Sequence, residues 1–557
     1  MINRFKTSRV IKVNYVNVIS RSISTAEIKF GDTIEEINVL KKEPTDGLPY
    51  CTPGLIDAHV HIESSMLSPQ RFAEMVIPHG TVGVVCDPHE IANVLGEDGV
   101  RFMIDDAHKS PLNFYFCIPS CVPSTPFETN GAVFGPIQVR NLVDECVALA
   151  EVMNYPGVVN VDPKMMEEIA IAQEAHIPVD GHAPGLMGED LKKYVAAGVS
   201  TDHECYSLSE AKEKIALGMK VLIREGSAAR NLDALQSLLK SNPYNVMACT
   251  DDAHPDDIRE RGHIDKFFLR ALEMGISIFD IFQILSVNPV SHYKLDCGLV
   301  QVGDKSNFLL LNSLKEFSLR SVILNGQEAY NSVQGLAYDY LPNPLKPNNF
   351  VDRSFTDADF QLVAPSNDPK LRVIVQLKDQ IVTQSLVWQS KAKAQAEVKS
   401  DIDNDIVKIA VVNRYDAQAP VVNGFIKGTG LKSGAMASSI AHDSHNVVII
   451  GADAQSMRLA AEAIFASKGG IVVVNDNAVA GQLELPIAGL MTNDNFNVVA
   501  DKYQWLIRTA QEKLGVDLSS PFMSMAFMSL LVIPSLKIGD KCLFDVDTFS
   551  PVDVFVK

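Results

Sequence analysis

Two histidines one residue apart, His59 and His61, follow a short apolar run that begins after a Pro53–Gly54 turn signal. Alternate side chains of a β-strand share a face, so a strand here would point both imidazoles the same way. Imidazole nitrogens are common ligands of divalent transition metals, so the pair predicts half of a metal site. A single His-x-His pair arises often by chance, and the prediction therefore depends on further ligands elsewhere in the chain.

The elements that would position such ligands lie between residues 53 and 296. Eight apolar runs typical of buried strands occur at 53–58, 81–87, 112–118, 146–151, 177–181, 199–203, 220–224 and 245–250. Helical periodicity separates them, at 68–78, 91–107, 163–175, 188–197, 207–217 and 231–241. Strands that alternate with helices predict an α/β fold with a TIM-like (β/α)8 barrel.

Catalytic groups in such barrels lie at the carboxyl ends of the strands. Those ends carry four histidines and two carboxylates: His59 and His61 on the first strand, Glu151 on the fourth, His182 on the fifth, His203 on the sixth and Asp251 on the eighth. This set is sufficient for two divalent ions bridged by a carboxylate and a hydroxide. Zinc, iron and manganese all accept such ligands, so the residue types leave the metal open.

Two further domains are predicted around the barrel. Residues 1–52 contain too few strands to bury a core, and residues 297–345 contain more, including a hairpin-type turn at Asn325–Gly326. We therefore expect these flanks to form one small β-domain around a barrel of residues 53–296. A proline-rich linker precedes residues 346–557, a predicted C-terminal α+β domain with strands at 406–412 and 447–450 and a helix at 455–467.

The composition argues against several classes of protein. The 557 residues carry a formal net charge of -19 without a block of Lys and Arg, so nucleic acid is not an expected partner. No run of about 18 apolar residues occurs, so no membrane span is expected. The odd number of cysteines, 9, and the lack of an apolar stretch near Met1 predict reduced thiols and a cytoplasmic location. The Cys-x-x-Cys of base-flipping zinc deaminases is absent from the sequence.

Several stretches of the chain resemble the adenine deaminases, within the amidohydrolase superfamily. They include PGLIDAHVHIESSM (53–66), GTVGVVCDPHEIANV (80–94), EVMNYPGV (151–158), DGHAPGL (180–186), TDHE (201–204), EGSAARNL (225–232), CTDDAHP (249–255) and AHDSHNVVIIG (441–451). The resemblance covers most of the chain and implies hydrolytic deamination of adenine to hypoxanthine and ammonia by a metal-activated hydroxide, in purine salvage. It also implies a binuclear centre of Mn²⁺ or Fe²⁺, with Zn²⁺ as an alternative, and a homodimer.

The resemblance further implies a role for each ligand. One ion would be held by His59 and His61, and the other by His182 and His203. Glu151 would bridge the ions in place of the carbamylated lysine common in the superfamily, and Asp251 would bind metal and carry a proton to the departing amine. Two alternatives stay open: Lys164 as the bridge, and Asp252 as the catalytic carboxylate or a helix cap.

Residues near the strand ends are candidates for binding the purine: Glu63, His89, Glu90, Arg230 and Asn231. Each could instead fix a loop, cap a helix or form a salt bridge. The cluster His442, Asp443 and His445 could be a third metal site, a hydrogen-bonded turn or a wall of the active site. Two competing functions remain: a sister hydrolase of the dihydroorotase or imidazolonase type, and a barrel kept as an inactive scaffold.

Overall fold

A computed structural model describes residues 8–227, 229–378 and 380–556 of the chain. These residues form two compact units. The first contains the chain up to His89 together with Arg101–Cys121 and Gly135–Asn343, and the second contains Glu90–Val100, Val122–Phe134 and the chain from Pro344 onward. Across the described ranges, every helix is too short or too polar to span a bilayer.

The first unit begins with four strands: Arg9–Asn17 (β1), Ser22–Phe30 (β2), Ile34–Lys41 (β3) and Tyr50–Pro53 (β4). Strands β1 and β2 pair antiparallel along their whole length, from Arg9 opposite Phe30 to Asn17 opposite Ser22. Their alternating pattern buries apolar side chains such as Val13 and Ile28 on one face. This face requires a partner to complete its core.

Eight parallel strands form a barrel: Leu55–Val60 (β5), Thr81–Cys86 (β6), Asn113–Ile118 (β7), Ala148–Val152 (β8), Val179–Gly181 (β9), Thr201–Asp202 (β10), Lys220–Arg224 (β11) and Val246–Cys249 (β12). Strands β5 to β9 pair in chain order, and so do β10 to β12. Parallel bridges from Val179 to Val199 and from Val60 to Asp251 join the two groups of strands at both ends. The predicted α/β fold with a TIM-like barrel is confirmed.

Helices connect the barrel strands and extend beyond the last of them: Pro69–Val76 (α1), His89–Leu95 (α2), Glu97–Ala107 (α3), Pro136–Leu142 (α4), Tyr155–Val159 (α5), Pro163–Glu174 (α6), Gly188–Ala196 (α7), Leu208–Ala216 (α8), Leu232–Leu235 (α9), Leu238–Ser241 (α10), Pro255–Arg261 (α11), Asp265–Glu273 (α12), Ile278–Phe282 (α13) and Asn288–Tyr293 (α14). Local chemistry explains where α6 begins. The Asp162 carboxylate accepts hydrogen bonds from the backbone of Lys164 and Met165, both at 3.1 Å, and Pro163 occupies the first helical position.

After α14 the chain returns to the first sheet as Phe308–Ser313 (β13), Ser318–Leu324 (β14), Gln327–Asn331 (β15) and Gly335–Leu336 (β16). Strand β13 pairs antiparallel with β4, from Phe308 opposite Pro53 to Leu311 opposite Tyr50. The Phe308 ring lies edge-on to Phe30, with 5.1 Å between the centroids. One eight-stranded sheet therefore contains both flanks of the barrel, and their apolar faces share one core.

The second unit is built on an eight-stranded sheet: Lys370–Gln376 (β17), Thr383–Gln389 (β18), Ile406–Val412 (β19), Val422–Lys427 (β20), Ala435–Ser438 (β21), Val447–Gly451 (β22), Gly470–Asn475 (β23) and Ala478–Glu484 (β24). A smaller sheet contains Leu536–Ile538 (β25), Leu543–Asp545 (β26) and Ser550–Val552 (β27). The additional helices are Ala454–Ala466 (α15), Phe496–Leu514 (α16) and Pro521–Ala526 (α17). Helix α15 begins where the Asp453 carboxylate accepts a bond from the Ser456 backbone at 2.8 Å. Its buried stripe of Met457, Ala460, Ala461 and Ile464 packs on the large sheet.

Candidate metal centre

The six predicted ligands converge at the carboxyl ends of five strands of the barrel. We call these residues, with Asp87, the barrel cluster. Three overlapping groups have ligand atoms within 4.8 Å of one another: His59, His61, Asp87 and Glu151; His59, His203 and Asp251; and Glu151, His182 and His203. All but His182 are buried. The first unit therefore collects enough nitrogen and oxygen donors for more than one divalent ion.

The hydrogen bonds of His61 indicate that a cation fits this cluster. Its Nδ1 lies 3.0 Å from the backbone oxygen of Asp87, which can only accept, so Nδ1 carries the hydrogen. Its Nε2 then presents a lone pair to Asp251 Oδ1 at 3.1 Å and Glu151 Oε1 at 3.4 Å, and lies 3.2 Å from His59 Nε2. Acceptors facing one another in a buried site need a proton or a metal ion between them. A backbone carbonyl that orients a ligating imidazole is also typical of metal sites.

The pKa values of the histidines follow the same surroundings. Burial lowers the pKa of His59, and the neighbouring His203 lowers it further. Burial would also lower the pKa of His182, but the carboxylates of Glu151 and Glu204 raise it to about 9. The same competition raises the pKa of His61, where Asp251 and Glu151 outweigh the burial. The cluster thus favours positive charge despite being buried.

Glu151 spans the two histidine pairs. Its Oε2 lies 2.5 Å from His182 Nδ1 and 3.1 Å from His203 Nε2, while its Oε1 lies 3.4 Å from His61 Nε2. Burial by itself would raise the pKa of the carboxyl, but His182 and His203 hold it well below its usual range. An ionised carboxylate therefore lies between the two sets of nitrogens, as a bridging ligand must.

Asp251 takes part both in the cluster and in closing the barrel. Its backbone N–H donates to His59 O at 3.0 Å, and the His61 N–H donates to Asp251 O at 3.2 Å. The φ angle of Asp251 is 56°, in the left-handed region that aspartate tolerates better than most residues. Behind it, the buried Asp57 accepts from the Thr250 backbone at 3.0 Å. The ligands of this seam are thus held by backbone hydrogen bonds between β5 and the end of β12.

Two charged residues that the sequence analysis did not select also lie at the cluster. Arg224, the last residue of β11, donates from Nη1 to Asp251 Oδ2 at 2.7 Å. Its guanidinium also donates to both carboxylate oxygens of Glu204, which directly follows His203. The sequence could have indicated both residues, because Glu204 follows the sixth predicted strand and Arg224 ends the seventh. Side chains at those positions face the mouth of a barrel.

Known proteins match the chain along almost its whole length. Residues 50–329 match the amidohydrolase family, and residues 380–550 match the adenine deaminase C-terminal domain. A protein of Methanosarcina mazei named adenine deaminase is 44% identical over 557 residues, covering 97% of this chain and 99% of its own. Another of that name, from Salinibacter ruber, is 42% identical and covers 97% of this chain and 98% of its own.

The chain belongs to the adenine deaminase family. Membership of the amidohydrolases implies a divalent metal centre, and the barrel cluster offers buried ligands for it. Among solved structures, the β-aspartyl dipeptidase of Fervidobacterium islandicum AW-1 is similar over 61% of this chain and 100% of its own, with a TM-score of 0.46 and 14% identity.

A buried ion network lies behind the second histidine pair. The Lys214 ammonium is fully buried and donates to Ala183 O at 2.7 Å, Asp202 Oδ2 at 3.0 Å and Glu210 Oε1 at 2.7 Å. Ala183 follows His182, and Asp202 precedes His203. Asp202 Oδ2 also accepts from the Ala183 N–H at 3.0 Å. One lysine of α8 therefore fixes the segments that carry both histidines.

The predicted substrate-binding residues occupy different surroundings. His89 lies beside the barrel cluster, with Nδ1 3.2 Å from Asp87 Oδ2 and 3.5 Å from Glu151 Oε1. Glu63 is buried in a short 3-10 helix, Ile62–Ser65, directly after His61. Asn231 uses its amide to hold backbone, accepting from Arg224 N at 2.7 Å and donating to Cys205 O at 2.9 Å. Their binding roles stay predictions, and that of Asn231 would be indirect.

The remaining candidates of the first unit make contacts of their own. Arg230 donates from Nε to Gly226 O at 2.8 Å, and its Nη2 lies 3.5 Å from Asp257 Oδ2. The alternative bridge, Lys164, lies at the start of α6 with its ammonium 3.8 Å from Glu168 Oε1. The alternative carboxylate, Asp252, accepts a hydrogen bond from Ser64 Oγ. In the structure, Lys164 therefore contacts Glu168, and Asp252 contacts Ser64.

A separate group in the second unit, the Glu90 cluster, joins Glu90 to His442 and His445. The Glu90 Oε1 is hydrogen-bonded to His442 Nδ1, and its Oε2 lies 2.5 Å from His445 Nε2. His445 Nδ1 accepts from the Ala441 N–H at 3.2 Å, so Nε2 carries the hydrogen donated to Glu90. The Phe527 ring stacks on His442 with 4.7 Å between the centroids. This geometry favours the hydrogen-bonded turn among the three roles considered for His442, Asp443 and His445.

Proposed function

We propose that the protein catalyses the hydrolytic deamination of adenine to hypoxanthine and ammonia, a reaction of purine salvage. One observation carries the proposal: the predicted ligand set converges within a chain 44% identical, over 97% of its length, to a protein named adenine deaminase. In this reaction, adenine gains an oxygen atom from water at C6 and loses its exocyclic nitrogen as ammonia. The reaction therefore needs an activated water molecule and a protonated leaving group.

The barrel cluster would hold two divalent ions. His59 and His61 would bind one, His182 and His203 the other, with Glu151 between them. Bound divalent ions lower the pKa of water from 15.7 toward about 7, which supplies a nucleophile at neutral pH. We propose Mn²⁺ or Fe²⁺, on the family resemblance, because the donor set itself also suits Zn²⁺.

Asp251 would move the proton that the leaving group needs. Its carboxylate accepts a proton from the attacking water and donates it to the exocyclic amine, which then departs as neutral ammonia. Burial by itself would raise the pKa of Asp251, but the Arg224 guanidinium and the surrounding histidines hold it well below its usual range. The group therefore starts ionised and able to accept. Its mostly buried position also limits proton exchange with bulk water.

We propose that His89, Glu63, Arg230 and Asn231 of the first unit take part in purine binding, and Glu90 of the second unit stays a candidate. The position of His89, 3.5 Å from Glu151, supports a direct contact with substrate, whereas Asn231 would act through the loop that it holds. We further propose that the protein is a homodimer and works in the cytoplasm. Both of these proposals rest on the family resemblance and on the composition of the chain.

The direct test is ammonia release from adenine by the purified protein, reconstituted with Mn²⁺ without oxygen. Adenosine and cytosine serve as control substrates, and elemental analysis gives the metal content. We expect rapid release from adenine alone, with about two metal ions per chain. Bound metal without ammonia release would contradict the proposed substrate and direct the search to cyclic amides such as dihydropyrimidines. A protein without metal and without activity would support the scaffold alternative.

A further inference from the structure

We propose that Arg224 is a positioning residue for Asp251, and that Glu204 holds Arg224 in the orientation required. The inference rests on the proposed function, because Asp251 is taken as the group that carries the proton. Neither the family matches nor the names of the relatives assign a role to Arg224 or Glu204. The two carboxylate oxygens of Asp251 face different partners.

The backbone places Arg224 beside Asp251. Arg224 ends strand β11 and pairs with Cys249 of β12, two residues before Asp251. Its N–H donates to Asn231 Oδ1 at 2.7 Å, and its carbonyl accepts from the Asn231 N–H at 3.1 Å. Asn231 thus holds both backbone polar groups of Arg224, which fixes the point from which the guanidinium extends.

Each oxygen of Asp251 has its own partners. Oδ1 lies 3.1 Å from His61 Nε2 and 3.5 Å from His59 Nε2, on the side of the ligands. Oδ2 accepts from Arg224 Nη1 at 2.7 Å. The hydrogen bond from Arg224 fixes the rotation of the carboxylate about its last side-chain bond. Oδ1 therefore stays directed at the two histidines and at any ion that they hold.

Glu204 in turn limits the movement of Arg224. Both of its carboxylate oxygens receive hydrogen bonds from the guanidinium, the two-point geometry that arginine forms and lysine does not. The side chains of Arg224 and Glu204 are only 12% and 15% exposed, so water weakens the pair little. Glu204 Oε1 also lies 3.5 Å from His203 Nε2. The guanidinium therefore links the sixth strand's end to the proton carrier on the eighth.

The inference predicts a particular kinetic pattern for Arg224→Gln. Without the guanidinium, Asp251 keeps its contacts to His59 and His61 through Oδ1, but the direction of Oδ2 is no longer fixed. Misplacement of a proton carrier by about 1 Å lowers a rate by about a hundredfold. We therefore expect kcat for adenine to fall about a hundredfold, KM to change less than about threefold, and metal content to equal that of the wild type.

The experiment compares Arg224→Gln, Arg224→Lys, Arg224→Ala and Glu204→Gln with the wild-type holoenzyme, for kcat, KM and metal per chain. Arg224→Lys restores the charge without the two-point geometry, so its kcat should lie between those of the Gln variant and the wild type. Glu204→Gln should lower kcat by about tenfold, because the guanidinium is then held less firmly. Arg224→Ala adds a readout that a purely structural role would not move: millimolar guanidinium should restore kcat at least about tenfold. Arg458→Gln is the control, since it removes a part-buried arginine–carboxylate pair, in which Nη1 donates to both oxygens of Glu462, and should leave kcat unchanged.

Four outcomes would overturn the inference. Wild-type kcat in Arg224→Gln would show that Asp251 needs no such partner. Loss of metal together with activity, without rescue by guanidinium, would make Arg224 a structural part of the metal site. If the Arg224→Gln and Arg224→Ala variants fail to fold, the test depends on Arg224→Lys and Glu204→Gln. A normal kcat in both of these variants would then contradict the proposal. A wild-type enzyme inactive on adenine overturns the proposed function and this role with it, whereas an active wild type isolates the role of Arg224.

Discussion

The barrel cluster and the Glu90 cluster contain the same kinds of side chain and differ in where the hydrogens lie. In the Glu90 cluster, His445 accepts from the Ala441 N–H at Nδ1 and donates from Nε2 to the carboxylate, so both contacts of His445 contain a hydrogen. In the barrel cluster, His61 Nδ1 donates a hydrogen bond to Asp87 O. Its Nε2, which then has a lone pair, faces the carboxylates of Asp251 and Glu151. The contacts of His445 are therefore satisfied without a cation, whereas those of His61 leave acceptors facing one another and require one.

This difference teaches that residue types alone do not identify a metal site. Both clusters are largely buried, and both combine histidine with carboxylate. The partner of the second imidazole nitrogen decides between them, because it fixes which nitrogen keeps a lone pair for metal. For this reason we propose metal at the barrel cluster and a structural role for His445.

The most severe test of the comparison exchanges one carboxylate in each cluster. Glu151→Gln should keep the fold, lose the bridged metal and lower kcat by at least about a thousandfold, because an amide is a poor bridging ligand. Glu90→Gln should retain its metal whatever its effect on substrate binding. Elemental analysis of both folded variants measures the contrast, and full metal with a normal rate in Glu151→Gln would remove Glu151 from its proposed role.

A smaller effect is expected when only the support behind the barrel ligands is removed. Lys214→Met takes away the ammonium that fixes the segments of His182 and His203, and leaves Asp202 buried without its cation. Metal affinity, measured by titration of the stripped protein, should fall between about tenfold and a hundredfold. Lys193→Met, which removes an exposed pair with Asp190, is the control and should have the affinity of the wild type. Equal affinities in the two variants would contradict the role of Lys214.

Removal of metal should destabilise the barrel cluster's unit and leave the Glu90 cluster unaffected. A ligand bound only by the folded state at about a thousand times its dissociation constant stabilises that state by about 4 kcal/mol. Calorimetry with and without a chelator should therefore show a lower melting temperature for the stripped enzyme. Glu151→Gln should show little further change on chelation, and a wild-type midpoint insensitive to the chelator would argue against a bound metal.

The smallest effect is predicted for the Glu90 cluster itself. His445→Gln removes a charge-assisted hydrogen bond from a buried carboxylate, which lowers the free energy of unfolding by about 1 to 3 kcal/mol. Denaturant unfolding measures the loss, and the metal content should equal that of the wild type. Loss of metal in this variant would contradict the separation of the two clusters.

The barrel and the positions of the predicted ligands could be inferred from the sequence, because functional groups in this fold lie at strand ends. Each of the eight apolar runs became a barrel strand, and His59, His61, Glu151, His182, His203 and Asp251 all lie at strand ends in the structure. The predicted helix at 455–467 likewise corresponds to α15, where the apolar stripe and the Asp453 cap agree. Local periodicity was sufficient wherever one face of an element is buried.

Other features depend on contacts between residues far apart in the sequence. The roles of Arg224 and Glu204 can be inferred only from the closed barrel, in which Arg224 contacts both Glu204 and Asp251. Glu90 was selected for its place after the second strand, but its partners lie more than 350 residues later, at His442 and His445. Coordinates are also needed to infer which imidazole nitrogen carries the hydrogen, because the sequence does not show which backbone group the ring contacts. The domain boundaries stay a prediction.

The seam between β5 and the end of β12 joins residues that are synthesised far apart. His59 and His61 pair with Asp251, and β4 of the first sheet pairs with β13, beginning at Phe308. A ribosome delivers the chain from its N-terminus, so the nascent protein holds two histidines and half a sheet until those later segments emerge. The barrel cluster is therefore complete only after Asp251 has been synthesised, and the N-terminal sheet only after Gly335–Leu336. A truncated chain that ends before Asp251 would lack the complete cluster and the complete sheet. Such a chain would be inactive and would expose an unpaired strand edge, which cellular quality control can recognise.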